Sequence, residues 1–305
     1  MFNEEDGIEL LRAEIERFSS QVKGDVEIVL VNDGSSDRTL LKIAAWAGSD
    51  RRVKVVHLSR NFGHQIAATA GLDYANGDAV VLLDADLQDP PAVIHQMIER
   101  YCDGYDVVYG QRNRRPGESI PKRFSAWVFY RLMRAFVYKD LPVDTGDFRL
   151  ISRPCLEGVK SMHETHRFLR GMVAWVGFPQ CGVKYDRAPR ARGQTKYPWR
   201  KMLAFAWTAA TSFSTLPLKA SLWLGVVVGL VGMEEGIRAL LATALGWYTV
   251  PGWTSLMVLT SVVGSSLLIS IGIVGQYVGR IYEQSKDRPL YLVSRTFNIG
   301  ARREL

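Results

Sequence analysis

From Gly252 to Gly279 the chain runs for 28 residues without an Asp, Glu, Lys or Arg. As a helix such a run is about 42 Å long at roughly 1.5 Å per residue, against a bilayer hydrocarbon core of about 30 Å. It is long enough to cross a membrane, and everything else in the chain must fold around that fact. Residues 218–245 read as a second span. Glu234 and Arg238 stand four apart, where a helix pairs them, and lie towards the far interface, where charge costs less than at the bilayer centre. Trp247, Tyr248 and Trp253 supply an aromatic belt on that far side. Arg200, Lys201 and Lys219 precede the hairpin and Arg280, Lys286 and Arg288 follow it, whereas residues 246–252 between the spans carry no basic residue. Basic flanks of this kind predict that both ends of the hairpin are cytoplasmic.

The chain-wide averages conceal this division. With 47% hydrophobic and 23% charged residues, a formal charge of +7 and a mean hydropathy of −0.02, the 305 residues look like an ordinary soluble protein. In fact the first 200 residues are densely charged, while none of the four charged residue types occurs between Arg238 and Arg280. The 27 Gly and 12 Pro exclude a collagen-like polymer or a disordered chain. The three cysteines, Cys102, Cys155 and Cys181, form no Cys-x-x-Cys pair, which excludes a disulfide scaffold, a zinc knuckle or a redox dithiol. Phe2-Asn3-Glu4-Glu5 after Met1 is not the basic start and apolar run of a secretory signal, so the charged domain is expected in the cytoplasm.

Short β-branched runs at Glu27–Val31, Val53–Leu58, Ala79–Leu83 and Asp106–Tyr109 predict strands, with helices near 38–48, 64–76 and 91–103 between them. This alternation predicts an α/β fold of right-handed βαβ units around a mostly parallel sheet. Ligands of such sheets bind beyond the carboxyl ends of the strands. Three polar clusters fall there: Asn32-Asp33-Gly34-Ser35-Ser36-Asp37, Ser59-Arg60-Asn61-Phe62-Gly63 and Asp84-Ala85-Asp86-Leu87-Gln88-Asp89-Pro90-Pro91. The two carboxylates of Asp84 and Asp86 can hold Mg²⁺ or Mn²⁺ against the phosphates of a nucleotide, or they can cap the following helix. Past Gly110 come Arg112, Arg114, Arg115, Lys122 and Arg123. Phe124, Trp127, Val128, Leu132 and Ala135 then recur at helical spacing opposite Arg123, Arg131 and Arg134. That helix suits an anionic bilayer surface or packs on its own domain. Basic residues here would suit nucleic acid in isolation; beside membrane spans, lipid phosphate is the better partner.

Taken in order, Phe2-Asn3-Glu4-Glu5, Asn32–Asp37, Arg60–Gly63, Asp84–Pro91, Asp144-Thr145-Gly146-Asp147-Phe148-Arg149-Leu150 and Arg190-x-x-Gly193-x-Thr195-Lys196-Tyr197, followed by the two-span hairpin, resemble glycosyltransferase family 2. Within that family the likeness is to the polyprenyl-phosphate glycosyltransferases, and it covers nearly the whole chain. It implies a GT-A domain over residues 1–197, an interfacial helix over 198–217, a transmembrane hairpin over 218–281 and a cytoplasmic tail over 282–305.

The resemblance also implies an activity. A sugar would pass from a nucleotide sugar, UDP-glucose or a related UDP-hexose, to undecaprenyl phosphate at the inner leaflet of the bacterial plasma membrane. GDP-mannose or an aminoarabinose donor is the alternative. Phe2, Asn3 and Glu5 would lie beside base and ribose, and Asp33 would hydrogen-bond the base. Asp84 and Asp86 would frame Mg²⁺ or Mn²⁺ and the diphosphate, with Gln88 near the sugar. Asp147 would face the donor sugar as base or positioning residue, unless it is a structural partner of Arg149. Arg190, Lys196 and Tyr197 would close near the phosphates, and Arg123, Arg131 and Arg192 would meet the acceptor phosphate or the membrane surface. Membrane lipid is an expected partner and nucleic acid is not; a homo-oligomer joined through the hairpins is compatible with the resemblance. His163 and His166, with Glu164 between them, lack a third ligand at metal spacing and read, with Arg167, as a sugar-proximal loop. The Gln-x-x-Arg-Trp motif of processive polysaccharide synthases is absent, as are P-loop and Gly-x-Gly-x-x-Gly motifs. Family members usually begin with an apolar strand ahead of Asn-Glu-Glu. This sequence starts at that motif, which predicts either a misplaced start site or a sheet lacking a central strand, the latter compatible with a membrane scaffold that retains the fold without the activity.

Overall fold

A computed structural model describes residues 1–112, 145–186, 216–245 and 253–300. They fall into two compact units, Met1–Tyr197 together with Pro289–Leu305, and Pro198–Arg288.

In the first unit α1 (Ile8–Gln21) precedes an alternating series: β1 (Ile28–Asn32), α2 (Thr39–Ser49), β2 (Val53–Leu58), α3 (His64–Tyr74), β3 (Ala79–Leu82), α4 (Val93–Cys102) and β4 (Val107–Arg112). A second group follows: β5 (Thr145–Ser152), α5 (Arg153–Lys160), α6 (Leu169–Trp175) and β6 (Gln180–Tyr185). The last strand, β7 (Val293–Phe297), comes from beyond the second unit. The strands lie in two sheets, ordered β1-β2-β7 and β3-β5-β4-β6. β1 is parallel to β2 and β4 to β6, but β5 runs antiparallel between β3 and β4, and β7 runs antiparallel on β2. The α/β architecture therefore holds, with mixed rather than mostly parallel pairing.

Local patterns explain the layers. Ile43, Trp46 and Ala47 recur at helical spacing on α2 and are buried against Val53 and Val55 of β2. The alternate residues Val56 and Leu58 face the other way, onto Ala67 and Ala70 of α3. The second sheet repeats this arrangement. Val108, Phe148 and Leu150 pack on Ile94 and Met97 of α4, whereas Val107 and Ile151 pack on Leu156 and Met172 of α5 and α6. Each large side chain buried this way contributes about 1.5–3 kcal/mol.

Among the described residues, β1 and β3 each carry a strand on one side only. Beside β1, the Met1 nitrogen donates to the Val31 carbonyl (2.8 Å) and the Asp33 N–H donates to the Met1 carbonyl (2.8 Å). Met1 is thus a single rung of ladder on that edge.

The other edge of the first sheet is covered by the C-terminal segment. Beyond the β2–β7 ladder, the Ser59 N–H donates to the Leu292 carbonyl (2.9 Å) and the Tyr291 hydroxyl donates to Asp73 Oδ2 (2.9 Å). Asn298 lies in the left-handed region at φ 56°, which Asn tolerates better than most residues. Its Nδ2 reaches the carbonyls of Ala47 (2.6 Å), Asp50 (3.3 Å) and Val53 (2.9 Å), so it ties the C-terminal end of α2 to the start of β2.

The second unit contains α7 (Leu216–Ala244) and α8 (Trp253–Ser285). Leu218–Arg238 and Val258–Ser285 are long and apolar enough to cross a membrane. Their large side chains, among them Leu222, Trp223, Leu268 and Ile281, stand exposed. A soluble protein does not leave so continuous an apolar surface in water, and the backbone polar groups of a helix interior are bonded to one another, as lipid requires. The chain is membrane-associated through this pair.

Candidate active site

Beyond β1, Asp33 is buried, and its carboxylate receives the N–H groups of Phe62 (2.7 Å) and Gly63 (3.0 Å) at the start of α3. The carboxylate expected on a nucleotide base is therefore already bonded through both oxygens, and it ties the β1 loop to the β2 loop. Gly34 makes this approach possible. Its φ is +67°, and a Cβ placed there would lie 2.4 Å from the Arg60 carbonyl carbon and 2.6 Å from the Asn61 nitrogen. Because those atoms are backbone and cannot swing aside, Gly34→Ala is expected to destabilise the first unit by about 3 kcal/mol. Chemical denaturation followed by tryptophan fluorescence checks this.

The opening residues are laced to the same loop. The Asn3 N–H donates to Ser35 Oγ (3.0 Å), and Asn3 Oδ1 accepts from the Ser36 N–H (2.9 Å). Glu5 Oε2 accepts from the Arg38 N–H (2.9 Å) at the start of α2, where a carboxylate is favoured. Phe2 stands exposed on the surface. The three residues expected beside base and ribose are thus gathered at the β1 rim, with the polar side chains of Asn3 and Glu5 bonded to the loop.

Beyond β3 come Asp84, Asp86 and Gln88. Leu87 is held in the left-handed region at φ 53°, and the next N–H, that of Gln88, donates to Asp86 Oδ1 (3.2 Å). Burial pushes the Asp84 carboxyl above the ordinary carboxylate value, against the pull of His64, and Asp147, Asp86 and Asp89 raise it further.

Asp147, in β5, is buried beneath this rim. Its Oδ2 meets His64 Nε2 (3.0 Å) and accepts from Gln65 Nε2 (3.0 Å), while Oδ1 accepts from Arg170 Nε (2.6 Å). Although burial opposes its ionisation, the His64 hydrogen bond and the Arg170 charge hold its carboxyl well below the usual range. His64 is correspondingly raised, first by the Asp147 bond, and its Nε2 lies 3.8 Å from Asp84 Oδ1. Arg149 is not the hydrogen-bonding partner of Asp147: its Nη2 donates to the Gly146 carbonyl (3.0 Å), and burial lowers its guanidinium to about 10.

Asp89 lies at the end of the same loop and is fully buried. The Tyr185 hydroxyl donates to its Oδ1, and Arg112 Nη2 stands 3.7 Å from that oxygen. Arg112 therefore faces inward on a buried carboxylate instead of outward on lipid phosphate, because a buried anion requires a nearby cation. In the 163–167 loop, Arg167 Nη2 donates to the Met162 carbonyl (2.6 Å). Arg123, Arg131, Arg190, Arg192, Lys196 and Tyr197, with Arg114, Arg115, residues 198–215 and the Trp247–Tyr248 belt, lie outside the described residues.

The residues that sequence reasoning missed are His64, Gln65 and Arg170. The first two directly follow the quoted Arg60–Gly63 string and open α3, which was a usable signal. Arg170 sits in a helix with no strand-end position to single it out.

Comparison with known proteins is consistent with this geometry. The profile described as Glycosyl transferase family 2 matches residues 1–159. An uncharacterised glycosyltransferase of Synechocystis sp. is 45% identical over 294 residues, 96% of this chain and 92% of that protein. The uncharacterised glycosyltransferase YkcC of Bacillus subtilis is 42% identical over 303 residues, 99% and 94% of the two chains. A prophage bactoprenol glucosyl transferase homolog of Escherichia coli is 39% identical over 295 residues, 97% and 96% of the two chains. Likeness over nearly the full length, with acidic strand ends on one rim and an apolar helix pair, has one reading: the chain is an enzyme of GT-A fold that belongs to glycosyltransferase family 2.

Proposed function

We propose that the protein transfers a hexose from a nucleotide sugar, UDP-glucose or a related UDP-hexose, to undecaprenyl phosphate at the cytoplasmic face of a bacterial plasma membrane. The observation that carries this reading is the carboxylate pair after β3, Asp84 with its Oδ1 3.8 Å from His64 Nε2 and Asp86 two residues on, in a chain with two helices long and apolar enough to cross a membrane. The E. coli relative, a bactoprenol glucosyl transferase homolog by name, supports the acceptor class.

The donor set fits a hard divalent cation. Asp84 and Asp86 would hold Mg²⁺ or Mn²⁺ through carboxylate oxygens with the remaining positions left to water and phosphate oxygens, as Mg²⁺ prefers; among the described residues no group of three or more His, Cys, Asp or Glu converges. When bound, the cation neutralises charge on the diphosphate. The polyprenyl phosphate is already anionic, so its oxygen can form the new bond to sugar C1 without a strong general base. The bond from C1 to the nucleoside diphosphate breaks as it forms, inverting the anomeric centre. Arg190 and Lys196, assigned on sequence alone, would offset the repulsion between the two phosphates.

Connectivity supports the orientation. The chain leaves the first unit before α7 and returns to it as β7 after α8. A return of the chain to that unit, with basic residues flanking both ends of the hairpin, supports a cytoplasmic placement for both ends.

Full-length protein in vesicles containing undecaprenyl phosphate, supplied with Mg²⁺ and radiolabelled UDP-glucose, is expected to yield a lipid-linked sugar and UDP. Chelation with EDTA should stop the reaction, and Mg²⁺ or Mn²⁺ should restore it. If no product forms from UDP-glucose, a UDP-aminoarabinose derivative or GDP-mannose, the proposal is wrong.

A further inference from the structure

We propose that Asp147 is a positioning residue that acts through His64, fixing the imidazole beside Asp84 so that its second edge meets an oxygen of the reacting substrates. This rests on the sugar-transfer reading above and assigns work within that site.

Asp147 is too constrained to serve the substrate itself. It is 5% exposed, and its two oxygens already receive Gln65, Arg170 and His64 from two other segments of the chain. Gln65 is itself fixed at its other end, since its Oε1 accepts the Leu169 N–H (3.0 Å) at the start of α6. A carboxylate clamped by an amide, a guanidinium and an imidazole has its plane set, and it has little capacity left for a sugar hydroxyl or a proton.

His64 has the opposite character. Its side chain is 55% exposed, and its Nε2 faces both Asp147 and, at 3.8 Å, Asp84 Oδ1. With Nε2 engaged, Nδ1 is the edge left for a substrate. The backbone beneath the ring is fixed as well, because His64 opens α3 directly after the two N–H groups that Asp33 receives. The arrangement is that of an imidazole oriented by a carboxylate which is oriented in turn by further donors. Sugar hydroxyls and the oxygens of either phosphate present the same chemistry to such an edge, and the substrate titrations below separate donor from acceptor.

The test uses the full-length protein in vesicles. His64→Ala and Asp147→Asn are each expected to lower kcat about 100-fold, and the double variant is expected to be no slower than His64→Ala. A KM rise for the nucleotide sugar alone marks the donor as the contact, and a rise for the polyprenyl phosphate alone marks the acceptor. Added imidazole should recover His64→Ala about ten-fold but not the double variant. Losses that multiply, imidazole without effect on His64→Ala, or equal recovery without Asp147 each overturn the proposal. A second measurement does not need turnover. In ¹⁵N-histidine spectra, Asp147→Asn should move the ring-nitrogen signals of His64 while the unfolding transition stays cooperative; an unmoved His64 signal overturns the relay. If wild-type protein transfers no sugar, the functional reading fails, and these spectra still decide whether Asp147 holds His64.

Discussion

Replacing Asp84 or Asp86 by Asn is expected to lower sugar transfer about 10³-fold or more while leaving the protein folded. The two effects separate because the charge at this rim serves the reaction at the expense of the fold. Asp84's carboxyl lies above its ordinary value through burial and the nearby carboxylates Asp147, Asp86 and Asp89. The folded state therefore holds that proton more tightly than the unfolded chain does. The associated stability is fully present below the unfolded value of 3.8 and is lost as pH rises through the raised folded value. At neutral pH ionised Asp84 is thus a destabilising group, and Asp84→Asn removes it. The expected result is an unfolding midpoint at pH 7 equal to or above wild type, with a shallower fall in stability as pH rises from about 4. Mg²⁺ with a nucleotide sugar should raise the wild-type midpoint by mass action and leave that of the variant unmoved. Turnover retained in both Asn variants would remove the role assigned to these carboxylates.

Deleting Pro289–Leu305 is expected to cost several kcal/mol, a large share of the 5–15 kcal/mol typical of a domain. The deletion removes the whole β7 ladder on β2 and the Tyr291–Asp73 bond. It also leaves the carbonyls of Ala47, Asp50 and Val53 without the Asn298 amide. These Asn298 bonds are part-buried or exposed, so each one lost costs about 0.5–1.5 kcal/mol, and the bare edge of β2 becomes a template for aggregation. The milder Asn298→Ala is expected to cost about 2 kcal/mol. Limited proteolysis and denaturation midpoints test both; a truncated protein as stable as the intact one would show that β7 is dispensable.

The contrast between the strands read in advance and those missed has a physical origin. β1 to β4 are legible because Val53, Val55, Val56 and Leu58, or Val107 and Val108, are near-continuous apolar runs buried on both faces. β7 is the sequence Val-Ser-Arg-Thr-Phe at a sheet edge, half-buried at its ends and exposed between them, so it reads as polar tail. The strand-end clusters at Asp33 and Asp84–Asp89 were likewise visible, because βαβ connectivity places them. The clamp on Asp147 was not. Its members stand 83, 82 and 23 residues from it, and no periodicity links a helix-opening His-Gln pair to an arginine on α6. The role of Arg112 was obscured for the same reason: Asp89 and Tyr185 reach it only through the sheet.

The strand that closes the first sheet also sets a timetable. By the bond from Asn298 to Val53, β2 waits for a partner made 245 residues later, beyond both hydrophobic helices. At about 5–20 residues per second that is roughly 10–50 s of synthesis with an open edge. The sheet can be sealed only by a chain whose hairpin has already emerged, so its completion is coupled to membrane delivery. A chain stalled before its second span would display the unpaired β2 edge to proteases and chaperones, which makes the missing strand a mark of failed insertion.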